Sequence, residues 1–362
     1  MPEVIFLSAV SAYFIILILC SIGLKRRYSR IGREGLPTAT IIIAARNEEK
    51  NILRCLASLD KLSYPKGKME IIVVDDFSED KTGEITDEFI IDKPLFKKII
   101  PEKESQLKGK INALVTAIKK AKGEIILLTD ADCEVTATWA ETLASYYSKD
   151  VGMVNGFTII NNGNIFSAIQ GIDLVFLQSI ASGGINLKYP ISCIGNNMSF
   201  RKEAYNEAGG YEGLPFSVTE DFALLQGISR LRKYKIIYPL EKESIIVSQA
   251  CANAGDLISQ KKRWGKGGTA VPSGGLVIMV IAFISNLLIL LIPLFFSPVW
   301  LYLAVFKIIA DYLFLYPVQT ELGNKHQLKY FLLFQVYFII YTTLLPLILI
   351  FSRKINWKGR IY

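Results

Sequence analysis

Four apolar runs, each about as long as a lipid bilayer is thick, sit at the two ends of this chain: Val4 to Leu24 at the start, then Leu276 to Phe296, Pro298 to Val318 and Phe331 to Phe351. About twenty apolar residues in a helix cross about 30 Å of hydrocarbon, so each run qualifies as a span by length. They also account for a hydrophobic share of 51% in 362 residues, more than one soluble core of this size needs. The first run ends in Lys25, Arg26, Arg27 and Arg30, and no small-residue cleavage pattern comes after it. It reads as an uncleaved anchor rather than a secretory leader. Positive residues directly after a first span favour a cytosolic place for the polar chain beyond them. The expected organisation is an anchor with its basic flank over 1–30, a cytosolic domain over 31–272, and membrane or interfacial helices with a basic tail over 273–362, in a multi-pass protein of the cell membrane.

Three complete late crossings would put Arg353, Lys354, Lys358 and Arg360 outside, against that tendency. The sequence therefore predicts a cytosolic tail, with one late run not fully crossing. Lys307 and Asp311, four apart within the Pro298 to Val318 run, are placed to pair with each other and to face protein or a water-filled cavity rather than lipid. Phe166 to Ile185 is apolar around much of a helix. It suits either contact with lipid or an acceptor groove, or an ordinary packed core helix.

The net charge of +8 does not point to nucleic acid, because the basic residues gather beside the apolar runs, where anionic headgroups explain them. Five scattered cysteines (Cys20, Cys55, Cys133, Cys193 and Cys251), without a Cys-x-x-Cys spacing, argue against a disulfide framework or a zinc site. One histidine, His326, lies between the last two runs, so any general base in the polar middle must be a carboxylate, Lys, Tyr or Cys.

From Ala39 onward, short β-rich runs alternate with helical ones: Ala39 to Ala45, a helix near Glu48 to Leu59, Glu70 to Val74, a helix near Lys81 to Ile90, and a weak strand at Lys98 to Ile100. A helix at Lys110 to Ala121, a strand at Glu124 to Thr129, a helix at Thr138 to Tyr147 and a strand at Val151 to Thr158 continue the series. This is the pattern of an α/β fold with a mostly parallel sheet. Ligands of such sheets sit beyond the carboxyl ends of the strands. There the sequence places Arg46-Asn47-Glu48-Glu49, Asp75-Asp76 and Asp130-Ala131-Asp132, with no Gly-rich dinucleotide or P-loop fingerprint. Lys108-Gly109-Lys110 lacks the spacing of a Walker sequence.

Asp130 and Asp132 are two apart at a strand end, so in an extended chain both carboxylates point to one side and together can hold a divalent cation. Capping of the following helix is the competing reading. Asp75 and Asp76, followed by Ser78, Asp80 and Thr82, suit either recognition of a base and ribose or an Asx turn before a helix. Thr219-Glu220-Asp221 precedes a helical run, where acids meet the positive end of the helix dipole; a simple cap is the alternative. Gln260, Arg263 and Trp264 share one helix face, fit for a diphosphate and a stacked sugar or acceptor, or for anchoring at a membrane interface. Lys110 opens a helix, either reaching a donor or simply solvated.

The order and spacing of Ala45-Arg46-Asn47-Glu48-Glu49, Val74-Asp75-Asp76, Gly109-Lys110, Thr129-Asp130-Ala131-Asp132, Gly195-Asn196-Asn197-Met198-Ser199-Phe200-Arg201, Thr219-Glu220-Asp221 and Gln260-Lys261-Lys262-Arg263-Trp264 resemble family 2 glycosyltransferases. The closing Trp357-Lys358-Gly359-Arg360-Ile361-Tyr362 is similar to the tail of bacterial lipid and carotenoid glycosyltransferases. The resemblance implies a GT-A fold (Rossmann-like, mostly parallel) between terminal transmembrane helices. It further implies a nucleotide-sugar donor, UDP-glucose or a related UDP-hexose, Mg²⁺ or Mn²⁺, and a lipid-like acceptor.

By the same resemblance, Ala45, Asn47, Glu48, Asp75, Asp76, Lys110 and Asp130 serve the nucleotide, Asp132 with Asp130 the metal, and Glu220, Gln260, Arg263 and Trp264 the donor and acceptor. Asp221 would be the base of an inverting transfer. A processive polysaccharide synthase shares the Gln-x-x-Arg-Trp motif and is the alternative enzyme; a membrane scaffold without activity is the alternative of another class.

Overall fold

In the computed structural model, residues 2–102, 107, 109–161, 163–215, 217, 219–268, 271, 273–351, 356–357 and 360–361 are described. Lys108, Pro272, Arg353, Lys354, Lys358, Gly359 and Tyr362 fall outside them, and with them most of the predicted basic tail. By contact density the chain divides into two compact units: Arg27–Ile159 with Cys193–Gln249, and Met1–Arg26 with Ile160–Ser192 and Ala250–Tyr362.

After the apolar helix α1 (Pro2–Leu24), the first of these units alternates strand and helix: β1 (Ala39–Ala45), α2 (Ile52–Leu59), β2 (Met69–Asp75), α3 (Thr82–Ile90), β3 (Phe96–Ile99), α4 (Lys110–Lys120) and β4 (Ile125–Asp130). It goes on through β5 (Glu134–Val135), α5 (Trp139–Ala144), β6 (Val151–Asn155) and β7 (Thr158–Ile160). Past residue 193 come β8 (Met198–Arg201), α7 (Lys202–Glu207), α8 (Gly210–Gly213), α9 (Glu220–Arg230), β9 (Lys235–Ile237) and β10 (Ile246–Ser248). Seven strands form one sheet in the order β3-β2-β1-β4-β8-β6-β9, and β5-β10-β7 form a small second one. Within the seven-stranded sheet pairing is parallel except where β8 runs antiparallel between β4 and β6, and in the small sheet β5 and β10 are antiparallel.

Strand β1 reads as a continuous apolar run because both its faces are covered. Ile41, Ile43, Ile71, Val73, Ile125 and Leu127 pack with Ile52, Cys55 and Leu56 of α2 and Trp139 and Leu143 of α5. Helix α4 packs on β1 and β2. Each Ile or Leu removed from water contributes about 1.5–3 kcal/mol, so the central strands hold the unit while the polar residues collect at their ends.

The other unit holds α1, α6 (Ile165–Asn186), α10 (Ala254–Gly268), α11 (Ser273–Leu290), α12 (Pro298–Glu321) and α13 (Phe331–Phe351). Among the described residues, five helical segments are long and apolar enough to cross a membrane: the four predicted runs, with shifted ends, and α6. Helix α6 is largely buried, which favours the packed-helix reading of its apolar surface.

Helices α1 and α6 cross backbone to backbone: a methyl group on Gly23 would lie 2.1 Å from the Gly183 carbonyl oxygen. Arg26 donates to the Asn186 carbonyl (2.7 Å) and the Asn186 amide donates to that of Gly23 (3.1 Å). The predicted pair within α12 is present. Lys307 and Asp311 lie 2.8 Å apart and are fully buried. Tyr13 Oη (2.7 Å) and Gln335 Nε2 (2.9 Å) donate to the same carboxylate, so the charges face protein, as expected for charges within an apolar run.

Candidate active site

Ala45 closes β1 in register with Asp75 of β2, while Ala44 lies opposite Asp130 of β4. Adjacent strands run about 4.8 Å apart, so the two aspartate backbones stand about 10 Å apart on either side of β1. Between β1 and β4 the strand order reverses, which is where open α/β sheets leave a crevice for a ligand.

The loops after β1 and β2 are stitched to each other. Asn47 takes a φ of 53°, a left-handed conformation that asparagine tolerates, and its backbone N–H donates to Ser78 Oγ with the nitrogen 3.1 Å from the oxygen. The Glu48 amide donates to Thr82 Oγ1 (2.7 Å), the Glu49 amide to Asp80 Oδ2 (3.1 Å), and the Glu79 amide back to Asn47 Oδ1 (2.9 Å). Burial would raise the Asp80 carboxyl, but the Thr82 hydroxyl and surrounding backbone amides outweigh it and hold the group below its ordinary range. Asp75 Oδ1 accepts the Ser78 amide at 2.9 Å, three residues on, and the two-residue Asx turn before α3 is made by Asp80, whose Oδ1 accepts the Thr82 amide at 3.0 Å. Asp76 is buried, and its amide donates to the Ala45 carbonyl at 2.8 Å.

Neither Asp130 nor Asp132 caps a helix: a turn and the two-residue strand β5 come next, and α5 starts only at Trp139. The Lys110 ammonium lies 2.7 Å from Asp130 and 3.1 Å from Glu220, joining the end of β4 to the first turn of α9. Desolvation pulls this lysine down, but the two carboxylates outweigh it and hold the ammonium charged well above the ordinary lysine range. Lys110 is thus ion-paired at this end of the sheet, with part of its side chain still exposed. At the N-terminus of α9, Thr219 makes no side-chain capping bond; its hydroxyl meets Ser217 instead. Asp221 Oδ1 accepts the Phe222 amide at 2.8 Å.

Gly195 passes close behind Asp221, and the next residue reaches the other acid group. Asn196 Nδ2 donates to Cys133 Sγ (3.5 Å), and the Cys133 thiol in turn donates to Asp132 Oδ1 (3.4 Å). Burial, then the charges of Asp132 and Asp130, push the Cys133 thiol up, so it stays protonated and able to donate. Asp130, Asp132, Glu220 and Asp221 are therefore tied together through Lys110 and through Gly195-Asn196-Cys133.

Three supports had no role assigned from sequence. Asn196 Oδ1 accepts Thr158 Oγ1 at 2.8 Å, Asn197 Oδ1 accepts Trp139 Nε1 at 2.9 Å, and Arg54 Nη2 donates to the Asp132 carbonyl at 3.2 Å. The doubled asparagine beside an apolar strand was the legible signal, since a buried amide needs partners. Gln260, Arg263 and Trp264 lie on α10, in the unit of apolar helices.

Among the described residues no three His, Cys, Asp or Glu side chains gather into a self-sufficient metal site. Two strand-end carboxylates with hard oxygen donors nevertheless suit Mg²⁺ or Mn²⁺, which take one or two carboxylates and complete their shell with phosphate oxygens and water.

Residues 40–209 match the family model described as Glycosyl transferase family 2, and residues 125–352 match Glycosyl transferase family group 2. A β-monoglucosyldiacylglycerol synthase of Trichormus variabilis is 29% identical over 67% of this chain and 51% of its own length. A probable glycosyltransferase of Bacillus subtilis is 32% identical over 49% of this chain and 43% of its own. The chain thus spans about half the length of these curated relatives. In fold it is similar to a mannosyltransferase from Pyrobaculum calidifontis solved with GDP-Man and Mn²⁺, with a TM-score of 0.63, 18% identity, and coverage of 93% of this chain and 99% of the other.

Proposed function

Since the chain belongs to glycosyltransferase family 2 and has the GT-A fold, we propose that it transfers a hexose with inversion from a nucleotide sugar, UDP-glucose or a related UDP-hexose, to a lipid-like acceptor at a membrane. The observation that carries this reading is Lys110 joining Asp130, at the end of β4, to Glu220 next to Asp221, with Asp75 ending β2 on the other side of β1. Asp75, Asp76, Ala45, Asn47 and Glu48 form the nucleoside side of the crevice. Asp132 and Asp130 would hold Mg²⁺ or Mn²⁺, which when bound neutralises diphosphate charge as the sugar leaves.

Asp221 accepts the proton of the acceptor hydroxyl. The oxygen forms its bond to the anomeric carbon from the face opposite the diphosphate, and the bond from that carbon to the phosphate oxygen breaks. The positive end of α9 favours the ionised carboxylate that this step requires. Lys110 is a fixed cation beside the leaving diphosphate. Gln260, Arg263 and Trp264 serve the diphosphate and the acceptor. The cluster Lys25, Arg26, Arg27 and Arg30 supports a cytosolic catalytic unit, where nucleotide sugars are made.

Membranes carrying the full chain, incubated with labelled nucleotide sugars, should yield lipid heavier by one hexose on extraction and mass measurement. Label found only in polymer would favour the processive alternative, and no label in either fraction would refute transfer.

A further inference from the structure

Within the unit of apolar helices, α6 and α10 are joined by polar side chains that none of the proposed chemistry uses. Gln170 and Asp173, three apart, share a face of α6. Gln170 grips the backbone of Cys251, shortly before α10 begins: its Oε1 accepts the Cys251 amide at 2.9 Å and its Nε2 donates to the Cys251 carbonyl at 3.3 Å. One turn on, Asp173 is ion-paired with Lys261 of α10, and the two residues are 1% and 5% exposed. The Lys261 ammonium also lies 4.4 Å from the centre of the Trp264 ring and 4.9 Å from that of Tyr341 on α13. On the same side, a methyl group on Gly265 would come 2.7 Å from Leu349, so α10 sits close against α13 there.

A buried ion pair adds little net stability over well-packed apolar residues, because the loss of hydration offsets most of the attraction. It gains orientation instead, since few rotations of α10 keep the ammonium on both the Asp173 carboxylate of α6 and the Tyr341 ring of α13. Helix geometry puts Arg263 about 200° round from Lys261, so pinning Lys261 against α6 turns Arg263 to the opposite side.

We infer that Asp173 and Lys261 are positioning residues, which fix the rotation of α10 and hold the Trp264 indole from one side so that it can receive the acceptor. This rests on the acceptor role proposed for Trp264. Neither residue touches donor or acceptor; both act through α10.

The test uses the full chain in detergent with labelled UDP-hexose and lipid acceptor, comparing Lys261→Met, Lys261→Arg, Asp173→Asn, the exchanged pair Asp173→Lys/Lys261→Asp, and Trp264→Phe. Lys261→Met and Asp173→Asn should raise the acceptor KM about ten-fold while the donor KM stays within about two-fold, since acceptor placement alone is disturbed. Lys261→Arg and the exchanged pair should recover most of the loss. The indole emission should shift in Lys261→Met, and that shift should vanish in a Trp264→Phe background.

Equal losses in donor and acceptor terms without recovery would overturn the proposal, as would an emission shift with an unchanged acceptor KM. Trp264→Phe separates the two failures. An unchanged acceptor KM there sinks the role given to Trp264 itself. A raised one, with none in Lys261→Met, sinks only the positioning pair.

Discussion

A methyl group on Gly195 would stand 3.2 Å from Cβ and 3.3 Å from Oδ2 of Asp221. That is tighter than ordinary carbon contact, so Gly195→Ala should displace the Asp221 carboxylate by a few tenths of an ångström without unfolding the turn that carries it. A misplacement of 1 Å can cost about a hundred-fold in rate, so a loss of about ten-fold in kcat is expected here, with donor affinity unchanged. Steady-state kinetics beside a donor titration reads both; a rate equal to wild type would show that Asp221 is not held by this turn for catalysis.

Replacing the carboxylate itself is the stronger perturbation. Asp221→Asn keeps the shape and the hydrogen bond to the Phe222 amide but removes the proposed proton acceptor. A general base is worth about 10²–10⁴ in rate, and kcat should fall by that amount while nucleotide-sugar binding persists. Transfer at the wild-type rate by this variant would take the role of base away from Asp221.

The sheet and its acidic ends were legible because their signals are local: β1 is Ala39–Ala45 as expected, and charge gathers at its carboxyl end. The helix expected from Glu48 begins at Ile52 instead, because the amides of Asn47, Glu48 and Glu49 bond across to Ser78, Thr82 and Asp80, a loop about thirty residues away. The strand expected over Val151 to Thr158 is broken after Asn155, where a methyl group on Gly156 would meet the Asn197 side chain at 2.6 Å. Such long-range contacts leave no periodic trace. Antiparallel β8, only four residues long, was hidden for the same reason, and the bridge from Lys110 to Glu220 joins helices 110 residues apart. Helix α6 was ambiguous because a face buried against apolar helices and a face in lipid select the same side chains.

Lys110 screens Asp130 and Glu220 from each other, so removing it should act on both. Lys110→Met deletes one cation near the proposed diphosphate and leaves two carboxylates opposed. Its side chain is 37% exposed, so the loss is tempered by solvent, and donor affinity should weaken by about ten-fold, worth about 1.4 kcal/mol. Lys110→Arg should regain part of it. Donor binding by Lys110→Met equal to wild type would show that the lysine is purely structural.

Glu241 gives the sheet unit a pH dependence. Burial would raise its carboxyl, but hydrogen bonds from Arg30 and Tyr146, with the charges of Arg30 and Arg27, outweigh it and hold the group below its ordinary range. A carboxylate depressed by folding stabilises the fold above its unfolded pKa, about 4.3, and loses that contribution as pH falls through the folded value. Arg30 is 43% exposed, so the pair contributes no more than about 1 kcal/mol. Glu241→Gln should therefore lower the unfolding midpoint at pH 7, and the difference from wild type should close as the pH approaches 3. A gap that persists in acid would mean that packing, not charge, ties Arg30 to Glu241.

Metal dependence separates donor binding from proton transfer. If Asp132 and Asp130 share a divalent cation with the donor's phosphates, stripping the metal and truncating Asp132 remove the same interaction, and the two losses should not add. Calorimetric titration of wild type with UDP-hexose should show tight binding with Mn²⁺ or Mg²⁺ and binding weaker by about ten-fold or more with a chelator, which is at least about 1.4 kcal/mol. Asp132→Ala should bind at that weaker level whether or not metal is added. Asp221→Asn, by contrast, should keep the metal-dependent increase, because the role proposed for its carboxylate is toward the acceptor hydroxyl rather than the diphosphate. The three titrations together separate the roles: undiminished binding by wild type in chelator removes the metal from donor recognition, and a metal response retained by Asp132→Ala moves the ligand away from the end of β4.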